Sequence, residues 1–193
     1  KPHTKPLTCW AIGYHPGPRN GFDQHFIDEW RLNFIKAFKL HGGLVQCNPV
    51  SLLMTDDIGT SVAKVHDTAK GAYGEPPQLI IVITGNQDVG HYARIKKSCD
   101  CRYGVPSQVL QSDRCRNGGK PQLHSNVAMK VNAKLGGVTA RAVPTSYGTG
   151  LRPSSMIIGA DVTHPMMGVW TPSLAAISVS NDPQGISYWG GRE

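Results

Sequence analysis

The apolar positions of the chain keep two rhythms. Residues 7–14 (Leu-Thr-Cys-Trp-Ala-Ile-Gly-Tyr) and 78–84 (Gln-Leu-Ile-Ile-Val-Ile-Thr) are nearly unbroken apolar runs of strand length. Such runs belong to strands covered on both faces, as in the middle of a parallel sheet. Between them, over residues 23–41, Phe26, Trp30, Phe34 and Phe38 step by four, with Ile27 and Ile35 alongside. That spacing makes one broad apolar helix face. Asp23, Asp28 and Glu29 lie early and Lys36, Lys39 and His41 late, as the helix dipole favours, and Gly42-Gly43 supplies the stop. These aromatics read as core.

Weaker segments fill the rest: a strand at 44–47, a helix over 58–70 closed by Gly71, and a polar loop at 85–90. A helix starting at 92–97, a strand at 105–111, a charged loop to Lys120 and a helix over 123–135 follow. In the last, Val127, Val131 and Leu135 point inward and Gly136-Gly137 ends the helix. Strand and helix alternate with connections long enough to cross over, which predicts an α/β fold, a parallel sheet with helices on both faces. Ligands of such sheets sit outside the carboxyl ends of the strands. Gln108 and the loop after Thr84 are expected at that edge.

After Arg141 the texture changes. Residues 143–154 are rich in Pro, Ser and Gly and read as a linker. Three strand-like runs follow, at 156–162, 174–180 and 186–189, the last two joined by the turn Asn181-Asp182-Pro183-Gln184-Gly185. That is an antiparallel meander. Three strands do not bury a core alone, so they are expected to open a second domain that is cut short.

Length sets one ordinary domain plus a piece of another within 193 residues. No run of about 18 apolar residues is present, so no membrane span is expected. The first eight residues have no signal-peptide character, and the missing initiator Met suggests a piece of a longer chain. Five cysteines (Cys9, Cys47, Cys99, Cys101, Cys115) form no disulfide framework and are expected to be reduced thiols of the cytosol or nucleus. A zinc set of Cys99, Cys101 and Cys115 with His124 or His91 departs from the usual opening pair of cysteines two to four apart.

Charge changes the picture more. Residues 91–141 hold ten Lys and Arg against two acids, or +8, whereas the rest of the chain holds ten against eleven, or −1. The basic excess of the whole protein thus lies in about a quarter of its length, the footprint of an anionic partner. Within it, Tyr92 and Lys96, and again Lys130 and Lys134, are four apart and share a helix face. With Gln108 and a helix N-terminus, they form a set able to converge on one anion. A terminal phosphate carries close to two charges and three acceptor oxygens, and suits such a cluster better than a diester. Tyr92 adds a ring on which a base can stack, and the loop 85–90 could offer backbone groups to that base. The plainer alternatives stay open: a solvated helix face, or a nonspecific basic nucleic-acid-binding module. A nucleotide-cofactor enzyme fits less well. Gly13, Gly17 and Gly21 are spaced by four with Pro16 and Pro18 between, not as Gly-x-Gly-x-x-Gly, and no Walker-type Gly-Lys-Ser/Thr follows a strand.

Three stretches resemble the Mid domain of eukaryotic Argonaute proteins: His91-Tyr-Ala-Arg-Ile-Lys-Lys, Gly104-Val-Pro-Ser-Gln-Val-Leu-Gln, and Asn126-Val-Ala-Met-Lys-Val-Asn-Ala-Lys-Leu-Gly-Gly137. Ile158-Gly-Ala-Asp-Val-Thr-His-Pro165 resembles the opening strand of their Piwi domain. The resemblance runs from about residue 78 to the end and reaches as close as the fungal quelling-type Argonautes. It implies a Rossmann-like Mid domain over 1–142 (1–7 as lead-in), a linker at 143–155, and a truncated antiparallel RNase H-like segment at 156–193.

The implied function is to bind the 5′-phosphate and first nucleotide of a small guide RNA in RNA silencing. Target RNA is engaged through the parent protein, and the molecule is a cytoplasmic monomer without membrane contact. By the same resemblance, Tyr92 stacks on the first base and touches its phosphate. Lys96, Gln108 and Lys134 hold the 5′-phosphate and Lys130 adds a contact, while Gln111 and Asn126 touch guide backbone. The loop Gly85, Asn86, Gln87, Asp88, Val89 and Gly90 senses the base; it is about two residues longer than the family pattern, which leaves base preference open. Asp161 matches the first catalytic aspartate. A two-metal RNA cut needs several carboxylates around two ions about 4 Å apart. Divalent metal (Mg) is therefore expected for the parent, and no metal site, cofactor or cleavage for this stretch.

Overall fold

In the computed structural model, residues 6–15, 24–55, 57–85, 89–140, 155–168, 170–182 and 185–192 are described. The chain divides into two compact units, residues 1–139 and 140–193. The first holds a four-stranded sheet of β1 (Trp10–Tyr14), β2 (Val50–Leu53), β3 (Leu79–Thr84) and β4 (Ser107–Gln111) in the order β2-β1-β3-β4. All its pairings are parallel. Helices α1 (Gln24–Leu40) and α2 (Ile58–Tyr73) make the first two crossovers. Helix α3 (Val89–Lys96) runs into a π-helical turn at Lys97–Tyr103 to make the third, and the short α4 (Ser112–Cys115) and α5 (Pro121–Lys134) follow β4.

Strand alternation explains the layers. On one face Trp10, Ile12 and Tyr14 of β1 and Leu79, Ile81 and Ile83 of β3 pack with the α1 aromatics and with Val127, Ala128 and Val131 of α5. On the other, Ala11, Ile80 and Val82 pack with Ile58, Val62, Val65 and Ala69 of α2 and with Ile95 and Cys99. A side chain fully buried in this way contributes about 1.5–3 kcal/mol. The α1 stripe is continuous: Trp30 and Phe34 stack at 5.4 Å, and Phe34 and Phe38 at 5.8 Å.

Several boundaries differ from the sequence expectation. The second strand lies at Val50–Leu53, not at 44–47, where a single bridge joins Val45 to Leu7. Gly71 does not end α2. The helix continues to Tyr73, which packs on the core, and closes at Gly74, which takes the left-handed φ of 77° and donates its N–H to the Lys70 carbonyl. The π-helical turn was not foreseen. It buries Cys99 and ends at Gly104, whose φ of 64° suits a residue without Cβ. The charged stretch before Lys120 contains α4. Cys99 and Cys115 bury on opposite faces of the sheet, so the candidate zinc set is not assembled.

The expected linker lies mostly outside the described residues. The second unit is the antiparallel sheet β5 (Ile158–Thr163), β6 (Leu174–Ser180) and β7 (Tyr188–Arg192), in that order. Its large apolar side chains, Ile158, Trp170, Ile177 and Trp189 among them, are exposed.

Candidate functional site

The site is built on the first two residues of β4. Alternation along the strand sends Ser107 toward the face covered by α3 and Gln108 toward the face covered by α5. Each meets a lysine from its own side. Lys96, the last residue of α3, donates from Nζ to the Ser107 hydroxyl at 3.0 Å. Lys134, the last residue of α5, donates to the Ser107 carbonyl at 2.6 Å and to Gln108 Oε1 at 2.8 Å. Gln108 is itself buried and donates from Nε2 to the Val109 carbonyl at 3.0 Å. Helices on opposite faces of the sheet thus place two ammonium groups on one serine at the edge strand.

Electrostatics at this point are those of a cation cluster. Burial lowers the pKa of Lys134, and the charges of Lys96 and Lys130 lower it further, against a smaller opposing pull from Asp100. Lys130, one turn earlier on α5, is exposed yet close enough to be felt. Lys96 is clasped by Asp100, whose Oδ2 and Oδ1 lie 2.9 and 3.0 Å from Nζ.

Two expectations about placement are overturned. Ser107 and Gln108 pair with Ile80 and Ile81, in the amino half of β3, whereas Gln111 pairs with Thr84 at the carboxyl end. Gln108 is therefore not at the carboxyl edge, because β4 begins with the site rather than leading up to it. Nor does a helix N-terminus stand beside these two lysines among the described residues. Lys134 closes α5, where the dipole favours a cation, and Lys96 stands where α3 passes into the π-helical turn, so the attraction for an anion here comes from the side chains.

The remaining candidates fall around this point or away from it. Tyr92 lies one turn before Lys96 on α3, with 53% of its surface exposed. Gln111 is four residues beyond Ser107, about 13 Å along an extended strand, and faces the α3 side. Asn126 is exposed on α5 and accepts from Gln122 at 3.2 Å; neither joins the cluster. Of the loop 85–90, residues 86–88 lie outside the described residues, and Val89 and Gly90 already belong to α3. Asp161, in mid-β5 opposite Ala176, is exposed and accepts from the Val162 N–H at 3.0 Å. Among the described residues no group of three His, Cys, Asp or Glu is gathered to hold a metal, so Asp161 does not by itself fit a two-metal centre. Sequence reading missed Ser107 and Asp100. The second had a signal, since an acid four residues after a lysine on one helix is a standard partner.

The family model of the Piwi domain matches residues 79–193. The chain is 36% identical over 192 residues to the protein argonaute of Schizosaccharomyces pombe, covering 97% of this chain. It spans between 11% and 22% of the length of the curated relatives it matches. In structure it is similar to the MID domain of Arabidopsis thaliana AGO5, with TM-score 0.58 and 25% identity over 69% of this chain and 92% of that one. It is also similar in fold to Kluyveromyces polysporus Argonaute, solved with a guide RNA, with TM-score 0.75 and 18% identity over 99% of this chain and 22% of that one. At these identities the likenesses set a family and not a subgroup such as the quelling type.

Proposed function

This chain belongs to the Argonaute family of Piwi-domain proteins, and from that membership we propose that its first unit holds the 5′-phosphate and first nucleotide of a small guide RNA during RNA silencing. The observation that carries the proposal is the joint anchoring of Lys96 and Lys134 on Ser107, with Gln108 between them. Lys134 is held by neutral oxygens alone, which leaves its charge available to an anion, while Lys96 shares its charge with Asp100. A phosphate monoester, with close to two charges, repays that concentration of cations better than a backbone diester with one. The exposed ring of Tyr92 stands one helical turn away, where the first base would stack. Lys130 adds long-range attraction, and Gln111 and Asn126 are assigned to guide backbone farther along.

In this reading the chain acts as a cytoplasmic monomer, and target RNA is met through the guide. No helix among the described residues is long and apolar enough to cross a membrane. The role assigned to this chain is to bind RNA, with Asp161 as one carboxylate of the parent protein's cleavage centre, where divalent metal would be held.

The test is a titration of the 193-residue chain with a short RNA bearing either a 5′-phosphate or a 5′-hydroxyl, by calorimetry at physiological salt. Tighter binding of the phosphorylated RNA is expected. Equal affinities would favour a nonspecific basic surface instead.

A further inference from the structure

An ammonium group has three N–H donors. Those of Lys134 go to the Ser107 carbonyl and Gln108 Oε1, which commits two. Those of Lys96 go to Asp100 Oδ1 and the Ser107 hydroxyl, and Asp100 Oδ2 also lies 2.9 Å from the same nitrogen. Asp100 therefore sits where an anion binding Lys96 would place its oxygens. It arrives there from the π-helical turn Lys97–Tyr103, a rare backbone form that recurs at functional positions.

We propose that Asp100 is a built-in competitor for the 5′-phosphate: its carboxylate occupies Lys96 in the free protein and is displaced when a terminal phosphate binds. This rests on the phosphate-binding reading above and adds to it a residue that holds the affinity down. The Asp100 side chain is 45% exposed and that of Lys96 27%, so the pair separates without leaving a charge stranded in the interior. Release needs an anion stronger than a single carboxylate. The phosphate dianion, with its three acceptor oxygens, is one. Once displaced, Asp100 remains nearby and repels the doubly charged phosphate more than a hydroxyl end, so its removal favours phosphorylated RNA selectively.

The experiment compares the 193-residue chain with its Asp100→Asn and Asp100→Ala variants, each titrated with 5′-phosphorylated and 5′-hydroxyl forms of one short RNA. An exposed ion pair and a residual repulsion of similar size together correspond to about five- to tenfold in affinity. Both variants are expected to bind the phosphorylated RNA about five- to tenfold more tightly, and the hydroxyl form within about twofold of the parent. Unchanged or weaker binding of the phosphorylated RNA by both variants overturns the inference, and would make Asp100 a support for Lys96. In that case a parent chain that still prefers the 5′-phosphate leaves the binding assignment standing. A parent chain that does not distinguish the two RNAs removes that assignment and this inference together.

Discussion

Lys96 and Lys134 share one residue, Ser107, the first through its hydroxyl at 3.0 Å and the second through its carbonyl at 2.6 Å. The charge of Lys96 is felt at Lys134, and the repulsion is held by the fold, since each lysine belongs to a helix packed on its own side of the sheet. In the free protein Asp100 offsets part of that repulsion. Binding an anion relieves the remainder.

Removing either lysine should therefore cost phosphate binding. A hydrogen bond to a charged group is worth about 1.5–3 kcal/mol, so Lys134→Ala is expected to weaken 5′-phosphorylated RNA by about tenfold or more. Lys96→Ala is expected to lose less, because Asp100 already offsets that lysine. Lys120→Ala, at the start of α5, should change little. Titration of the three variants decides; a loss at Lys120 equal to that at Lys134 would mean the charge acts as a diffuse surface.

Tyr92 supplies a ring rather than a hydroxyl in this account. Tyr92→Phe should keep most of the affinity for a guide 5′ end, whereas Tyr92→Ala should lose about 1–3 kcal/mol, the usual worth of stacking one base. The contrast is read by the same titration. If Phe and Ala weaken binding alike, the phenol is the contact and the ring is not.

The sheet was legible because its central strands are buried on both faces, so Ile80-Ile81-Val82-Ile83 could be nothing else. Helix α1 was legible from the four-residue step of its aromatics. The pairing of Tyr92 with Lys96 and of Lys130 with Lys134 was legible for the same reason, since helical periodicity fixes which residues share a face. What brings the two helices together was not. Their meeting depends on the alternation of Ser107 and Gln108 across an edge strand and on the register of β4 with β3, which are tertiary facts. The π-helical turn was equally hidden, because Ser98-Cys99-Asp100-Cys101 has no local pattern that asks for a wider turn. The resemblance reached Gln108 directly and passed over Ser107 beside it, whose contribution is partly a main-chain carbonyl.

Lys134 also sets a pH dependence. Burial, with help from Lys96 and Lys130, places its pKa below the ordinary lysine value. An anion favours the charged form, so affinity should fall as pH rises through that lowered pKa, earlier than for an ordinary lysine. The phosphate does not contribute, being fully ionised above its second pKa near 6. Affinity measured from pH 7 to 10 should decline in the parent chain and stay flatter in Lys134→Arg, whose guanidinium remains charged. Parallel profiles for the two would assign the decline to another group.

The cysteines divide by burial. Cys47 and Cys101 are exposed, while Cys9, Cys99 and Cys115 are buried. Burial pushes the Cys99 thiol up to about 11 and that of Cys115 up to about 12. Only a thiolate is nucleophilic, so brief iodoacetamide treatment of the native chain at pH 8 should add two groups by mass spectrometry, mapped to Cys47 and Cys101. Early labelling of Cys99 would show that the π-helical turn opens in solution.

The helix that carries Lys130 and Lys134 is anchored at its other end by a histidine, and this makes the fold sensitive to acid. His124 is buried, lies against the Trp30 ring at 5.5 Å and contacts the Gly118 carbonyl through Nε2 at 2.5 Å. Burial lowers its pKa below the ordinary value of 6.5, only partly countered by that hydrogen bond. The neutral ring, with Nε2–H donating, is the folded form. The unfolded chain therefore binds a proton more readily, and stability that is complete above pH 6.5 declines as pH falls through it. The Gly118 carbonyl also accepts from the Asn33 side-chain amide at 3.2 Å, so His124 shares this anchor with helix α1. Urea unfolding should thus give a lower free energy at pH 5.5 than at pH 7.5. His124→Ala should lose about 0.5–1.5 kcal/mol at pH 7.5, the usual net worth of one hydrogen bond, and most of the acid slope with it. A slope that survives in His124→Ala would place the acid-sensitive group elsewhere.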